Sequence, residues 1–461
     1  KYLLIDVLRK ELGFEGVIVT DWEDIMKLNN IHMVAPTLKD AVYMAIDAGI
    51  DMCMVPNDYD FTILLTELVK EGKISEARLD VSVKRILELK KQLGLFEQPF
   101  TPANTDYKKF GSTEFARAAQ NMAEESITLL KNNNQVLPIQ QSAKILVTGP
   151  AANSMTYLNG AWTRTWQGSD TIWNDQSKYT IREAFNPATT TFIASDNMSD
   201  TDVREKMFAA AKASDVIIIC LGEKPSTEKV GDIDALTMPD NQQQLVGLLK
   251  STGKPVVLVL VENRPLIVND IEPLCDAIVL AYEPGDYGGL ALANIIYGKV
   301  NPSGKLPFTY PRHEASLLWY DHKHTETLDQ TFGRKAFNPQ WEFGYGLSYT
   351  TFQYSNLKIS NDTLSTGNLQ ISVDVTNTGT TTGKEVVQFY IADRYASITP
   401  SVKRLRGFEK VEIKPGATHI VTFTISAKDL AFVGRDEKWI SEAGWFDIML
   451  GSEKSSFYLS K

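Results

Sequence analysis

The period of the apolar residues changes partway along the chain, and that change limits the possible folds most. Up to about residue 296, short β-branched and aliphatic runs alternate with stretches whose apolar positions recur every three to four residues. Later the spacing becomes strictly alternating, at Leu369, Ile371, Val373 and Val375 and again at Val421, Phe423 and Ile425. The first pattern predicts a mostly parallel sheet covered by helices on both faces, and the second predicts a β-sandwich. One core cannot serve both, and 461 residues exceed what one ordinary core holds.

The first hundred residues read as βαβα. A helix from Tyr2 to Leu12, with apolar Leu3, Leu4, Val7, Leu8 and Leu12, has no capping residue ahead of it. We therefore expect the chain to be cut from a longer one, with any targeting segment outside it. A strand at 17–19 precedes Asp21, a helix at 38–48 is closed by Gly49, and a second strand at 51–55 ends at Pro56. Two helices follow, the second with Ser75 as candidate N-cap, apolar Leu79, Val83, Ile86 and Leu93, and Gly94 after its last turn. Parallel strand pairs need neighbours on both sides, so two βα units read as the last part of a (β/α) barrel.

A linker at 95–105 carries Pro99 and Pro102. Beyond it, strands are expected at 127–130, 143–148, 191–194, 216–221, 255–261 and 277–281, with helices at 202–213, 240–249 and 290–296. A polar connector at 312–341 leads into the alternating region. The expected domains are the barrel end at 1–102, a doubly wound α/β sandwich at 113–318 and an all-β sandwich at 343–461.

Hydrophobic content of 43% and charged content of 23% fit a globular chain, and no apolar run is long enough to span a membrane. A formal charge of -10 argues against nucleic acid or anionic lipid as a partner. Cys53, Cys220 and Cys275 each lie in or beside an apolar run and read as free buried thiols. His322 and His324 lack a third ligand nearby, so no metal site is assigned. Pro284-Gly285-Asp286-Tyr287-Gly288-Gly289 lacks both the Lys-Ser/Thr ending of a P-loop and the spacing of a dinucleotide fingerprint. Asp51 and Asp58 flank the second strand as helix caps or substrate supports, with no role assigned between these.

The residues placed for chemistry start with Asp21, in Gly13-Phe14-Glu15-Gly16-Val17-Ile18-Val19-Thr20-Asp21-Trp22-Glu23-Asp24. Parallel strands deliver catalytic side chains at their carboxyl ends; the competing reading makes Asp21 a helix N-cap. A second carboxylate loop, Leu221-Gly222-Glu223-Lys224-Pro225-Ser226-Thr227-Glu228-Lys229-Val230-Gly231-Asp232, follows the expected strand 216–221. A tryptophan run, Asn159-Gly160-Ala161-Trp162-Thr163-Arg164-Thr165-Trp166-Gln167-Gly168, lies between.

These segments resemble glycoside hydrolase family 3, the three-domain β-glucosidase type, and appear in the family's order. They are followed by Asn301-Pro302-Ser303-Gly304-Lys305-Leu306-Pro307, Phe343-Gly344-Tyr345-Gly346-Leu347-Ser348-Tyr349 and a fibronectin-III-like sandwich with Gly407-Phe408-Glu409-Lys410-Val411. The resemblance implies a retaining enzyme whose two carboxyls flank one glycosidic bond, about 5–5.5 Å apart. Asp21 takes the nucleophile's position and Glu228 that of the acid/base, with Glu223, Asp232 and Asp234 as nearby rivals. The competing reading of Glu228 is an exposed ion pair with Lys224 or Lys229. Trp22 and Trp166 take the positions of a pair of rings that clamp the second sugar, Trp162 supporting them; the competing reading makes the tryptophans of the run anchors at a domain seam. Lys27 matches a position on the leaving-group side, or is a solvated surface charge. Two departures stand out: Thr20 replaces a more usual Ser, and Gly160-Ala161 replaces a Gly pair.

The activity implied is exo-hydrolysis of terminal β-linked glucose from β-glucosides or β-gluco-oligosaccharides, without metal or organic cofactor. The expected partner is a glucoside or oligosaccharide, and the expected compartment is the periplasm or outside of the cell. Two alternatives stay open, a different reaction on the same fold (β-xylosidase above all) and a non-catalytic carbohydrate-binding module. With most barrel strands missing, these residues alone are expected to have little or no activity.

Overall fold

The computed structural model describes residues 1–57, 59–100, 108–195, 200–316, 319–326 and 337–460, which form two compact units, Lys1–Phe110 and Gly111–Lys461. Asp58, residues 101–107 of the linker and parts of the connector at 312–341 lie outside the described residues.

In the first unit a helix spans Tyr2–Glu11, wound wider than an α-helix, with the Leu12 N–H bonding back to the Val7 carbonyl at 2.9 Å. Helices α1 (Asp24–Asn30), α2 (Leu38–Ala48), α3 (Asp60–Lys70) and α4 (Glu76–Gln92) follow. Thr37 caps α2, Gly49 closes it with φ of 110°, and Ser75 caps α4 by accepting from the Arg78 N–H. Their core holds Ile25, Ala41, Val42, Ala45, Ile46, Leu68 and Ile74. Two expectations change here. The two strands reduce to one parallel bridge, Val19 to Met52, because the pair has no further strand beside it among the described residues. On α4, Val83 and Leu93 are exposed; the buried residue is Ser82, drawn in by Asp51.

Asp51 organises this unit. Its buried carboxylate accepts from Arg9 at 2.7 Å, Ser82 at 2.6 Å, Arg85 at 3.0 Å and the Ile18 N–H at 3.1 Å. Burial opposes its ionisation, but the hydrogen bonds from Ser82, Ile18 and Arg85 outweigh that and hold its pKa below the usual carboxylate value.

The second unit opens with α5 (Thr113–Ser126) and a six-stranded sheet: β1 (Thr128–Asn132), β2 (Ile145–Thr148), β3 (Thr190–Phe192), β4 (Val216–Gly222), β5 (Val256–Val261) and β6 (Ala277–Leu280). The strand order is β1-β6-β5-β4-β2-β3, parallel except for β1, which runs antiparallel to β6. Alternate residues of each strand face opposite layers, so continuous apolar runs such as Val-Ile-Ile-Ile-Cys-Leu serve both. Helices α5, α6 (Met155–Asn159), α7 (Ile181–Ala184) and α10 (Gly288–Ile296) cover one face. Helices α8 (Thr201–Ala213) and α9 (Asp240–Lys250) cover the other. All three cysteines are free thiols; Cys220 and Cys275 are buried and Cys53 is half-buried.

The β-sandwich packs β11 (Arg404–Ile413), β10 (Gly383–Asp393), β15 (Gly444–Leu450), β16 (Glu453–Leu459) and β8 (Thr363–Leu364) against β12 (Thr418–Ser426), β9 (Asn368–Asn377) and β7 (Phe352–Ile359). The predicted alternation is real: Leu369, Ile371, Val373, Val375, Val421 and Ile425 are buried. A short hairpin pairs β13 (Phe432–Val433) with β14 (Trp439–Ile440). Glu125 at the end of α5 pairs with Lys384 and Lys410 of the sandwich, and Tyr320 stacks on Phe343 at 4.3 Å. Phe343 to Tyr349 runs along the α/β sheet, with Leu347 bridged to Leu129 of β1.

Candidate active site

Each unit carries part of the expected site. In the first, Thr20 continues the bridged strand: its N–H donates to the Met52 carbonyl at 3.0 Å and its hydroxyl oxygen accepts from the Met54 N–H at 2.9 Å. The hydroxyl thus has a fixed task, which explains why Thr serves where Ser is more usual. Asp21 stands one residue on, exposed, its Oδ1 accepting from the Trp22 N–H at 2.6 Å. Asp21 is not the cap of α1; that position belongs to Glu23, a left-handed residue with φ of 60°. Asn57 and the Met54 carbonyl hold Glu23 in place. Trp22 is 55% exposed, a large ring beside a carboxylate with no burial to explain it. Lys27 lies on α1 and bonds Asp24 at 2.9 Å; that hydrogen bond chiefly, then the charges of Asp24 and Asp21, raises its pKa and keeps it cationic.

In the second unit the tryptophan run and the carboxylate loop come together. Trp166 Nε1–H donates to Glu228 Oε1 at 3.1 Å. Gln167 exchanges two bonds with the residue before Glu228: its Nε2 donates to the Thr227 carbonyl at 3.1 Å, and its Oε1 accepts from the Thr227 N–H at 3.0 Å. Glu228 has a left-handed backbone, φ of 55°, at the start of a single helical turn Glu228–Gly231. Among the described residues its side-chain hydrogen bond is to Trp166; neither Lys224 nor Lys229 pairs with it. Trp162 is 68% exposed and lies 6.5 Å from Trp166, centroid to centroid, its N–H donating to the Trp166 carbonyl at 3.0 Å.

The rival Glu223 is committed elsewhere. Both of its oxygens accept from Arg264 Nε, at 3.1 and 2.9 Å, and Oε1 also faces the Arg264 N–H at 3.2 Å. Asp232 and Asp234 are exposed farther along the loop. Behind Glu223, Glu262 after β5 and Glu283 after β6 add two more carboxyls. Burial pushes Glu262 up to about 8, Glu223 adding to the shift against a 2.7 Å hydrogen bond from Tyr310. Burial and then the Glu223 charge likewise raise Glu283.

The loop that carries Trp166 is shaped by the turn at Gly160. Gly160 has φ of 73°, a conformation that side chains with a Cβ rarely adopt, so this member of the motif's glycine pair is required, while Ala161 is not among the positive-φ residues and a Cβ is tolerated there. Arg164 pairs with Asp286 at 2.5 Å, which gives the glycine-rich stretch at 284–289 a structural task. Among the described residues no three His, Cys, Asp or Glu side chains are grouped to hold a metal ion. His322 is buried, stacks on Phe337 at 4.0 Å and faces the Trp319 carbonyl.

Sequence reasoning missed Gln167 and Arg264, and named Asp51 without assigning it the ion-pair role that the structure gives it. Gln167 lies inside the tryptophan run, next to an aromatic residue and with both a donor and an acceptor, and that is the signal it offers.

Comparison with known proteins agrees with this anatomy. Residues 1–89 match the glycosyl hydrolase family 3 N-terminal domain, 127–349 its C-terminal domain and 385–454 a fibronectin type III-like domain. A lysosomal beta glucosidase of Dictyostelium discoideum is 41% identical over all of the chain and 58% of its own length. A periplasmic beta-glucosidase of Salmonella typhimurium is 33% identical over 98% of the chain and 64% of its own length, and a beta-xylosidase of Formosa agariphila is 33% identical over 99% and 65%. The chain thus spans less than two thirds of these curated relatives. The crystal structure of a mutant β-glucosidase from Listeria innocua in complex with laminaribiose matches all of the chain and 65% of its own, with 30% identity and a TM-score of 0.88. With all three domain types in sequence order, the chain belongs to glycoside hydrolase family 3.

Proposed function

We propose that the protein carrying this chain removes terminal β-linked glucose from β-glucosides or β-gluco-oligosaccharides with retention of configuration. Asp21 attacks the anomeric carbon and forms a glycosyl ester while Glu228 gives its proton to the departing oxygen. Glu228 then takes a proton from water, the resulting hydroxide displaces Asp21, and the sugar leaves with its original β configuration. Trp22 and Trp166 are the stacking surfaces for the next sugar, and Lys27 is a cationic neighbour of the nucleophile. The two carboxyls carry all of the bond chemistry, so the scheme uses neither metal nor organic cofactor.

The observation that carries this reading is the hydrogen bond from Trp166 to Glu228. It ties a carboxyl at a loop tip to an exposed indole, so that the group that moves the proton and the ring that receives the sugar are set together. The engagement of Glu223 by Arg264 supports the choice between the two glutamates.

β-Xylosidase is the second reading, favoured by the 33% identical relative of that name. Among the described residues no helix is long and apolar enough to cross a membrane, and the names of two relatives, lysosomal and periplasmic, favour a compartment outside the cytosol. The test is kinetic: kcat/KM for paired aryl β-glucosides and β-xylosides, with the first product anomer read by proton NMR. The proposal expects β-glucose first and the glucoside preferred. Release of α-glucose would overturn retention, and a preferred xyloside would move the assignment to the second reading.

A further inference from the structure

Glu228 sits in a conformation that a residue with a Cβ adopts only when its surroundings impose it. Its φ of 55° lies in the left-handed region, and it has no glycine on either side to relieve the turn. The imposing contacts come from two directions. From the β5 end, Asn263 Nδ2 donates to the Ser226 carbonyl at 3.3 Å and Arg264 binds Glu223. From the tryptophan loop, Gln167 holds both polar backbone groups of Thr227, the residue immediately before Glu228.

The contribution of Gln167 differs in kind from that of Trp166. Trp166 touches the carboxylate itself, whereas the amide of Gln167 touches only the backbone of Thr227. An exchange of two bonds with one residue fixes the orientation of its backbone, the 227–228 peptide included, as well as its distance. The peptide then sets where the Glu228 backbone begins its left-handed turn, and so where the carboxyl points. Because Gln167 follows Trp166 directly, the ring and the turn move as one piece.

We infer that Gln167 is a positioning residue for Glu228, acting through the Thr227 peptide to aim the proton-donating carboxyl. The inference rests on the reading of Glu228 as acid/base. Its signature is selective. In kcat/KM, which reports the step that breaks the glycosidic bond, a misaimed acid slows only those substrates whose leaving group needs a proton, and leaves nearly untouched those that depart unaided.

The experiment uses the protein with a complete barrel and a series of aryl β-glucosides, from dinitrophenyl to unsubstituted phenyl. Gln167→Leu removes both bonds to Thr227 at similar volume; Gln167→Glu keeps the acceptor and loses the donor. Glu228→Gln is the reference, and melting temperatures check the fold. For Gln167→Leu we expect kcat/KM to fall about tenfold or more on the phenyl substrate, within the range that general acid catalysis supplies, with little change on the dinitrophenyl one. Gln167→Glu should lie between Gln167→Leu and the parent, and Gln167→Leu/Glu228→Gln should be no slower than Glu228→Gln alone. An equal loss on every substrate would overturn the inference and leave Gln167 a merely structural contact. Should Gln167→Leu not fold, Gln167→Glu decides by the same slope: steeper than the parent supports the inference, unchanged overturns it. If Glu228→Gln itself shows no leaving-group dependence, the acid/base assignment falls first and takes this inference with it.

Discussion

Replacing Asp51 by Asn should loosen the first unit without touching the proposed chemistry directly. The Asp51 side chain is fully buried and that of Arg9 is 8% exposed, so both charges have left water. Asn keeps the shape but leaves two guanidiniums, of Arg9 and Arg85, facing a neutral group. Removing one partner of a buried ion pair costs about 3–5 kcal/mol. The Arg85 side chain is 24% exposed and loses less, so the lower end of that range applies. Hydrogen-exchange mass spectrometry is the suitable assay, because it reads opening unit by unit. Amides in α2, α3 and α4 should exchange on the order of a hundredfold faster or more, while the strands of the α/β sheet keep their protection. The pH dependence has a definite sign. The folded pKa of Asp51 is depressed, so its stabilisation is present above the unfolded value of about 3.9 and is lost as pH falls through the lower, folded one. The gap between parent and variant should therefore be constant near neutrality and close below about pH 4. Equal exchange in parent and variant at pH 7 would refute the argument that Asp51 holds Arg9, α4 and the strand before Asp21 together.

Trp166→Phe keeps a ring but removes the donor to Glu228, and should lower kcat more than it raises KM on poor leaving groups; an unchanged kcat would deny the hydrogen bond any part in catalysis. Glu262 has its folded pKa raised to about 8, so the stability it contributes is fully present below its unfolded value and is lost as pH rises through 8. Glu262→Gln should accordingly raise the melting temperature relative to the parent at pH 9, with the difference shrinking toward pH 5; a difference that grows in acid would contradict the sign. These 461 residues expressed alone should turn over a chromogenic β-glucoside slowly or not at all, since the first unit pairs its strands by one bridge among the described residues; turnover like that of an intact relative would refute this.

Where local chemistry decides an element, the sequence was enough to find it. Helix α2 falls between Thr37 and Gly49 as expected, because an N-cap hydroxyl and a left-handed glycine fix both ends independently of tertiary contacts. The strands of the α/β sheet were legible from continuous apolar runs, but not their order or the reversed direction of β1, which depend on chain crossings. Helix α5 went unread because its exposed Phe115 and Met122 blur its face, and only Ala123 is buried. The strands near Asp21 were overread: their β-branched residues satisfy the pattern, yet pairing needs neighbours. In the candidate site, motif order puts forward Asp21, Trp166 and Glu228 as candidates. What it could not give was the contact between Trp166 and Glu228, 62 residues apart in the chain, or the engagement of Glu223 by an arginine 41 residues on. Both arise from loops that the sheet brings side by side.

The most direct test of the central claim is to trap the intermediate. The protein with a complete barrel is incubated with a 2-deoxy-2-fluoro-β-glucoside bearing a good leaving group, and the labelled peptide is mapped by mass spectrometry. The account predicts a single fluoroglucosyl ester on Asp21. A label on any other carboxylate, Glu223 or Glu228 included, would contradict it.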